Sequence, residues 1–295
     1  MIIAVINYIK REFMKKSNES STNKKRSKYE IIRKTMLIVC ICLTVVFALQ
    51  LAVIVVDYIE ARKSSANILE GISGITKPSD ANGVGSSPIT GEIIPEVDES
   101  EYSEYFSLWL KNIREMQERF PDFVGYIEIA NLDILYPIMQ TDDNVYYLDH
   151  LIDGTKNQSG EIFMDYRNNS SELMDNQNIV LYGHNMGDGT KFHNLTKLRK
   201  EENYYNSPIN IITEKGIFTF TVFSFYKTEG NAQFTPISFD YPSNFGMFCV
   251  GEQNKSMYKS EFKFTGKEVI LTLSTCVNDF GGRWCTHAVL TGFSK

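Results

Sequence analysis

The sequence predicts a mostly β domain, a closed barrel or a sandwich, that follows a single apolar helix. Three observations lead to this prediction. From residue 122 onward the chain is a series of short runs rich in β-branched and aromatic residues, separated by Gly, Asn, Asp and Pro. Few helical patterns interrupt these runs. An uncharged stretch of 22 residues lies well before them, near the N-terminus.

Eight runs are predicted to be strands, which favours a mainly antiparallel sheet. They read VGYIEIA, ILYPIM, EIFMDY, NIVLYGH, INIIT, IFTFTVFSFY, VILTLSTC and WCTHAVLTGF. One helix is predicted before them, over 101–120, where apolar residues recur with helical spacing. The insert 243–260 lacks the alternation of a strand, and it is predicted to contain a second helix.

The stretch from Thr35 to Val56 has the length and composition of a membrane anchor. As a helix it would span about 30 Å, the thickness of the hydrocarbon core of a bilayer. The nearest alternative is a cleaved signal peptide, but its apolar part is shorter and no A-x-A-like cleavage site follows Val56. Ten Lys or Arg residues against three Glu precede residue 35, which places the N-terminus in the cytoplasm. We therefore expect a single-pass protein of the cell membrane with residues 57–295 outside.

The chain is expected to have four parts. Five Gly and three Pro between residues 71 and 95 indicate a flexible connection that would hold the folded domain away from the membrane. The expected parts are a basic cytoplasmic tail (1–34), a transmembrane anchor (35–56), an extracellular stalk (57–99) and a folded domain (100–295).

Charge excludes one class of partner. From residue 57 onward the chain carries 20 basic residues against 33 acidic ones. Binding to phosphates requires concentrated positive charge, so no nucleic-acid partner is expected.

Five cysteines are present, and an odd number of them are predicted to lie outside the cell. Cys40 and Cys42 fall in the anchor, which leaves Cys249, Cys276 and Cys285 outside. At least one thiol should therefore be free in a compartment that permits disulfides. No CxxC pair and no His/Cys cluster has the spacing of zinc ligands, so neither a metal nor an organic cofactor is expected.

Cys276 ends the run VILTLSTC and is followed by a turn-forming segment. The next strand begins at Arg283, so the two residues should lie close together across a short connection. An arginine next to a thiol favours the thiolate, and it can also donate hydrogen bonds to an oxyanion. This pair is typical of nucleophilic catalysis at the rim of a sheet.

The catalytic partner of this thiol would be one of four histidines: His150, His184, His193 and His287. His184 follows the run NIVLY and should also lie at a strand end. His287 shares strand parity with Arg283 and is the main competitor. A histidine in a β protein is more often structural than catalytic, but the combination of strand-end Cys, Arg and His favours His184.

These residues resemble the sortase family, and in detail its class B. The motif TLSTC is followed by an arginine seven positions on, with LYGHNM upstream. Alone it would be a weak match, but five patches occur in the family's order within residues 100–295: DNVYYLDH, GEIFMDYRN, NIVLYGHNM, TLSTC and RWCTHAVL. The resemblance implies an eight-stranded β-barrel with N-terminal helices and a helix in the long loop before the cysteine strand.

The resemblance also implies a role for each matching residue. Cys276 would be the nucleophile, His184 the general acid and base, and Arg283 the group that stabilises the transition state. The residues implied in substrate binding are Asn144, Leu148, Tyr182 and Ser274. Leu148 and Tyr182 could equally well be core residues.

The implied activity is that of a membrane-anchored cysteine transpeptidase on the surface of a Gram-positive cell. It would cleave the C-terminal sorting signal of secreted proteins at a threonine carbonyl. The acyl group would then pass to an amine of a cell-wall precursor or of another protein, and the residues leave both acceptors open.

Two other readings are compatible with parts of the sequence. A papain-like or NlpC-like hydrolase is the enzymatic alternative, but such enzymes place the cysteine at a helix start with the histidine later in the chain. Here Cys276 ends a strand and His184 precedes it. The non-enzymatic alternative is a membrane-tethered β domain for adhesion or sensing.

Overall fold

The structure, a computed structural model, describes residues 2–72, 75, 103–229, 235–276 and 282–295. The chain divides into two compact units, Met1–Val56 and Asp57–Lys295. Helix α1 (Ile2–Glu70) supplies the described part of the first unit and the first element of the second.

The first unit contains most of the apolar stretch of α1. By length and composition, Ile32–Ile68 is able to cross a membrane. Apolar side chains along it, such as those of Leu37, Phe47 and Val53, are exposed. Exposed apolar side chains on a helix of this length are typical of a surface covered by lipid.

The second unit is built on eight strands that close into a barrel in the order β1-β2-β3-β4-β7-β8-β6-β5. The strands are β1 (Phe123–Ile129), β2 (Ile134–Met139), β3 (Ile162–Met164), β4 (Asn178–Gly183), β5 (Ile209–Thr213), β6 (Gly216–Thr228), β7 (Ile270–Cys276) and β8 (Arg283–Ser294).

The barrel confirms the predicted fold class and excludes the sandwich. Most neighbouring strands are antiparallel, as expected, but β2·β3 and β4·β7 are parallel. Parallel strands end at the same edge of a sheet. The β4·β7 pair therefore brings the residue after β4 and the last residue of β7 to one edge.

Strand alternation separates the core from the outer face. On β7, Leu271 and Leu273 belong to the large apolar cluster inside the barrel, together with Leu181 of β4. Thr272 and Ser274, between and after them, belong to the opposite, outer face. Side chains on this outer face are available to build a site.

The predicted helices are also present. Helix α2 (Glu104–Arg119) begins at Ser103, whose hydroxyl accepts a hydrogen bond from the backbone N–H of Phe106. Its apolar face packs in a second buried cluster with Tyr126 of β1 and Ile212 of β5. Helix α4 (Pro242–Lys255) lies in the loop before β7, and a short helix α3 (Glu201–Asn206) precedes β5.

The predicted boundaries of the stalk stay a prediction. Ile68 and Ile72 belong to the same buried cluster as α2. Beyond Ile72, the structure describes only Ile75 of the stalk residues up to 99.

Two glycine-to-alanine substitutions should change stability in opposite directions. In Gly125→Ala, the new Cβ would lie 2.2 Å from the backbone oxygen of Ile212 on β5, so the strand pair must shift. We expect a loss of about 1–3 kcal/mol in the free energy of unfolding. Gly251 lies within α4 and has no neighbouring atom within 4 Å of the added Cβ. Gly251→Ala should gain about 0.5–1 kcal/mol. Urea denaturation followed by tryptophan fluorescence measures both, and equal changes of the same sign would contradict the packing.

Candidate active site

The candidate site lies on the outer face of the barrel, at the edge where β4 and β7 end and β8 begins. In the parallel β4·β7 pair, Gly183 lies opposite Thr275. In the antiparallel β7·β8 pair, Cys276 lies opposite Arg283. His184 directly follows Gly183, and Cys276 directly follows Thr275. If the alignment of β4 and β7 is extended by one residue, position 184 therefore lies opposite position 276. The three predicted catalytic residues therefore fall in one row across three adjacent strands.

His184 is held at both its ring and its backbone. Its Nε2 lies 2.7 Å from the backbone oxygen of Leu148. A carbonyl oxygen can only accept, so Nε2 carries a proton and donates it. The backbone oxygen of His184 accepts a hydrogen bond from the N–H of Phe192, at 2.9 Å. Nδ1 is then the ring nitrogen that can take up a second proton.

A cavity of about 230 Å³ opens beside this row. Six of the seven predicted site residues line it, together with Phe163 and Gly183: Asn144, Leu148, Tyr182, His184, Ser274 and Arg283. The hydroxyl of Ser274 is buried and has no hydrogen-bond partner among the described residues. An unpartnered buried hydroxyl is costly, so this one is suited to meet a polar group of a ligand.

The seventh predicted residue, Cys276, is described by its backbone. It ends β7, two residues after Ser274, which places it on the same face of the strand. Its side chain and residues 277–281 of the following loop lie outside the described residues.

Asp165 connects the walls of the cavity. Its side chain is fully buried directly after β3. One carboxylate oxygen accepts hydrogen bonds from Nδ2 of Asn144 and from the hydroxyl of Tyr182, each at 3.0 Å. The guanidinium of Arg167 donates to both carboxylate oxygens, at 2.8 and 2.7 Å. A single buried carboxylate thus fixes two of the predicted substrate-binding side chains.

The protonation states of this group follow from its surroundings. Burial alone would raise the pKa of Asp165, but the hydrogen bonds and charge of Arg167 outweigh it and hold that pKa below its usual range. Burial raises the pKa of Tyr182 to about 12. At neutral pH the two are therefore a carboxylate and a phenol, as a hydrogen bond from the phenol requires.

A second cluster of titratable groups lies further from the strand ends and is sealed. Sγ of Cys285 lies 3.2 Å from Nε2 of His287, and Nδ1 of His287 lies 2.9 Å from Oγ1 of Thr272. Cys285 and His287 are fully buried, and Glu252 of α4 lies 3.4 Å from His287. Burial lowers the pKa of His287, so its ring is neutral at neutral pH. His287, the histidine that competed with His184 in the sequence, is fully buried and does not line the cavity.

Sequence reasoning missed Asp165 and Arg167. Both lie in the patch GEIFMDYRN, which contributed to the resemblance but received no role. A carboxylate directly after a strand, with an arginine two residues later, was the available signal. Within the described residues, no group of three or more His, Cys, Asp or Glu side chains could hold a metal ion.

Comparison with known proteins assigns this barrel to one class of enzyme. The family model for the sortase domain matches residues 127–291. The chain therefore belongs to the sortase family, and its relatives are of class B. Sortase B of Listeria monocytogenes serovar 1/2a (strain ATCC BAA-679 / EGD-e) is 36% identical over 166 residues, which cover 56% of this chain and 66% of the relative. Sortase B of Staphylococcus aureus (strain NCTC 8325 / PS 47) is 34% identical over 156 residues, 52% of this chain and 63% of the relative.

The matched segment thus spans just under two thirds of each curated relative. Solved structures extend the similarity. Sortase B of Bacillus anthracis in complex with AAEK1 has a TM-score of 0.62 at 29% identity, covering 81% of this chain and 99% of that one. A Staphylococcus aureus sortase B–substrate complex has a TM-score of 0.58 at 28% identity, covering 65% of this chain and 87% of that one.

Replacing the buried carboxylate should weaken peptide binding. In Asp165→Asn the negative charge is lost, and the NH2 group cannot accept the hydrogen bonds made to the oxygen that it replaces. The side chain then no longer holds both Arg167 and the Asn144 and Tyr182 side chains. We expect KM for a peptide substrate to rise about tenfold, equivalent to ~1.4 kcal/mol of binding, with a smaller change in kcat. The free energy of unfolding should fall by about 1–3 kcal/mol. Steady-state kinetics and urea denaturation measure these changes.

In Asp165→Asn the free energy of unfolding should also depend less on pH in the acid range. The folded pKa of Asp165 lies below the unfolded value of 3.8, so its stabilisation is present above that pH and is lost as pH falls through the folded pKa. Wild type should therefore lose stability more steeply than Asp165→Asn in this acid range. The control is Asp133→Asn, because this carboxylate is exposed and pairs with Lys197 at 2.8 Å. It should change stability by less than about 1 kcal/mol. If the stability of wild type and of Asp165→Asn fell equally with decreasing pH, the lowered pKa of Asp165 in the folded state would be contradicted.

Proposed function

We propose that this protein is a membrane-anchored cysteine transpeptidase that cleaves a sorting signal and joins the acyl group to an amine. One observation carries the proposal. The register of β4, β7 and β8 brings positions 184, 276 and 283 into one row beside an open cavity. A thiol, an imidazole and a guanidinium in such a row are the groups that acyl transfer needs.

The first half-reaction forms a thioester. The proton of the Cys276 thiol passes to Nδ1 of His184. The resulting thiolate attacks the carbonyl carbon of the scissile bond, and a C–S bond forms as the carbonyl oxygen becomes an oxyanion. Arg283 donates hydrogen bonds to that oxyanion. As the C–N bond breaks, His184 gives its Nδ1 proton to the leaving amine. Nε2 keeps its proton on the oxygen of Leu148 throughout, which holds the ring in one orientation.

The second half-reaction transfers the acyl group. An incoming amine attacks the thioester and loses a proton to Nδ1 of His184, and the C–S bond breaks to return the thiolate. Ser274 and the side chains held by Asp165 line the cavity where the peptide would lie. By analogy with the relatives, the peptide would be the sorting signal of a secreted protein. The acceptor would be an amine of a cell-wall precursor or of another protein.

The apolar part of α1 supports a place at the membrane. It is exposed along its length and long enough to cross a bilayer. The ten basic residues that precede position 35 favour a cytoplasmic N-terminus. The barrel would then lie outside the cell, where secreted substrates emerge.

Removing the thiol should abolish transfer and leave the fold intact. We expect Cys276→Ala to lower the rate of amide formation at least about a thousandfold, the scale on which loss of a covalent nucleophile acts in other acyl-transfer enzymes. The assay uses the full-length protein in detergent with fluorescent candidate sorting peptides and an amine acceptor. Mass spectrometry distinguishes the amide product from the free acid.

The matched control is Cys249→Ala, which removes a buried thiol that packs with Phe245 of α4 and Ile270 of β7 and which should retain activity. Amide formation that survives in Cys276→Ala would disprove the proposed nucleophile. Formation of the free acid alone, in the presence of ample amine, would show a hydrolase instead.

A further inference from the structure

Lys191 and Glu161 form an ion pair in the interior of the second unit, and the activity proposed above gives it no role. Their side chains are 1% and 2% exposed. Taking two charges out of water is unfavourable unless their pairing compensates it. One oxygen of Glu161 has no hydrogen-bond partner within the described residues. Lys191 also has a positive φ of 55°, which is uncommon for a residue with a side chain.

Lys191 closes the loop that follows His184. It forms an isolated β-bridge with Asn185, so the loop returns on itself at these two residues. The next residue, Phe192, donates its N–H to the backbone oxygen of His184 at 2.9 Å. The ammonium of Lys191 also lies 5.5 Å from the centroid of the Tyr136 ring on β2. The position of Lys191 therefore determines where the backbone of His184 lies.

Glu161 is attached to the segment that holds the ring of His184. Its N–H donates to the backbone oxygen of Tyr147 at 2.9 Å. The next residue, Leu148, accepts the hydrogen bond from His184 Nε2. Gly160, directly before Glu161, packs so closely that an added Cβ would lie 2.7 Å from the oxygen of Leu148. Movement of Glu161 would therefore move the acceptor of the imidazole.

We propose that the Lys191–Glu161 ion pair is a positioning pair for His184, a role that rests on the function proposed above. The pair joins the two segments that hold this histidine, one at its backbone and one at its ring. It keeps Nε2–H on the oxygen of Leu148 and thereby directs Nδ1 towards the substrate. Strained backbone and buried charge are often retained where a catalytic group must be held in place.

The kinetic test compares two variants of the pair. Lys191→Met removes the bond to Glu161, whereas Glu161→Gln keeps an oxygen that a lysine amine can donate to. Misplacing a catalytic group by about 1 Å can cost up to about a hundredfold in rate. We expect Lys191→Met to lower kcat about tenfold or more with KM within about twofold of wild type, because Asn144 and Tyr182 in the cavity wall are held by Asp165 and not by this pair. Glu161→Gln should retain more activity than Lys191→Met.

The second test observes the imidazole of His184 directly by NMR spectroscopy and does not require enzymatic activity. The chain has four histidines, so the full-length protein labelled with ¹⁵N-histidine in detergent gives few signals, and His184→Gln assigns the one of interest. In wild type the Nε2–H of His184 should be visible and slow to exchange with water. In Lys191→Met that signal should exchange with water at least about tenfold faster.

Two controls separate positioning from general stability. Lys215→Met makes the same chemical change in a half-exposed pair with Glu172, at 2.8 Å, and should leave the His184 signal unchanged. Ile211→Val weakens the barrel core and should lower the melting temperature without moving that signal.

The outcomes are distinct. An unchanged Nε2–H signal and an unchanged kcat in Lys191→Met would overturn the positioning role. Should that variant not fold, the double variant Lys191→Met/Glu161→Gln, which leaves no unpaired buried charge, takes its place. An Nε2–H signal in the double variant as slow to exchange as in wild type, with an unchanged kcat, would overturn the positioning role. An inactive wild type with the expected change in the signal would refute the proposed function and uphold the pair's effect on His184.

Discussion

The pairing of β4, β7 and β8 is the constraint on which the site depends. β4 comes from a part of the sequence distant from the consecutive strands β7 and β8, and the parallel β4·β7 contact brings the ends of β4 and β7 to the same edge of the barrel. A slip of one residue in this register would turn one strand's site residues to the opposite face. The apolar side chains of Leu181, Leu271 and Leu273 inside the barrel fix the register, because burying them allows one alignment. The packing that buries these leucines therefore also aligns the candidate catalytic residues on the opposite face.

The outer face of these strands divides into an open row and a sealed region. At the strand ends, His184 and Arg283 line a cavity. Further along the same strands, Cys285 and His287 are fully buried beside Glu252 of α4. Chemically similar groups therefore differ in access, and a thiol next to a histidine is not sufficient for catalysis. Helix α4, which the loop before β7 supplies, helps to close the sealed region.

Most of the strands could be predicted from the sequence, since runs such as NIVLYGH and VILTLSTC carry their β-branched pattern locally. Pairing is not local, so the parallel contact of these two runs was not predicted. His184 and Arg283 could be predicted as site residues because each stands at the end of a run, and both line the cavity. Lys191 could not be predicted, because buried lysines are rare and no pattern in the sequence distinguishes it from a solvated one. Asp165 was missed for a similar reason, since its role depends on Asn144 and Tyr182, which reach it only in the fold.

Selective alkylation tests most directly whether the row at the strand ends activates a thiol. The full-length protein would be treated at neutral pH with a limiting amount of iodoacetamide, and peptide mass spectrometry would locate the label. Of the three thiols after the apolar stretch, Cys276 should be labelled, and faster than a free cysteine derivative, because a neighbouring cation favours the thiolate. Cys249 and Cys285 are fully buried and should stay unlabelled. Labelling of Cys276 no faster than the free derivative, or preferential labelling of either buried thiol, would contradict this account.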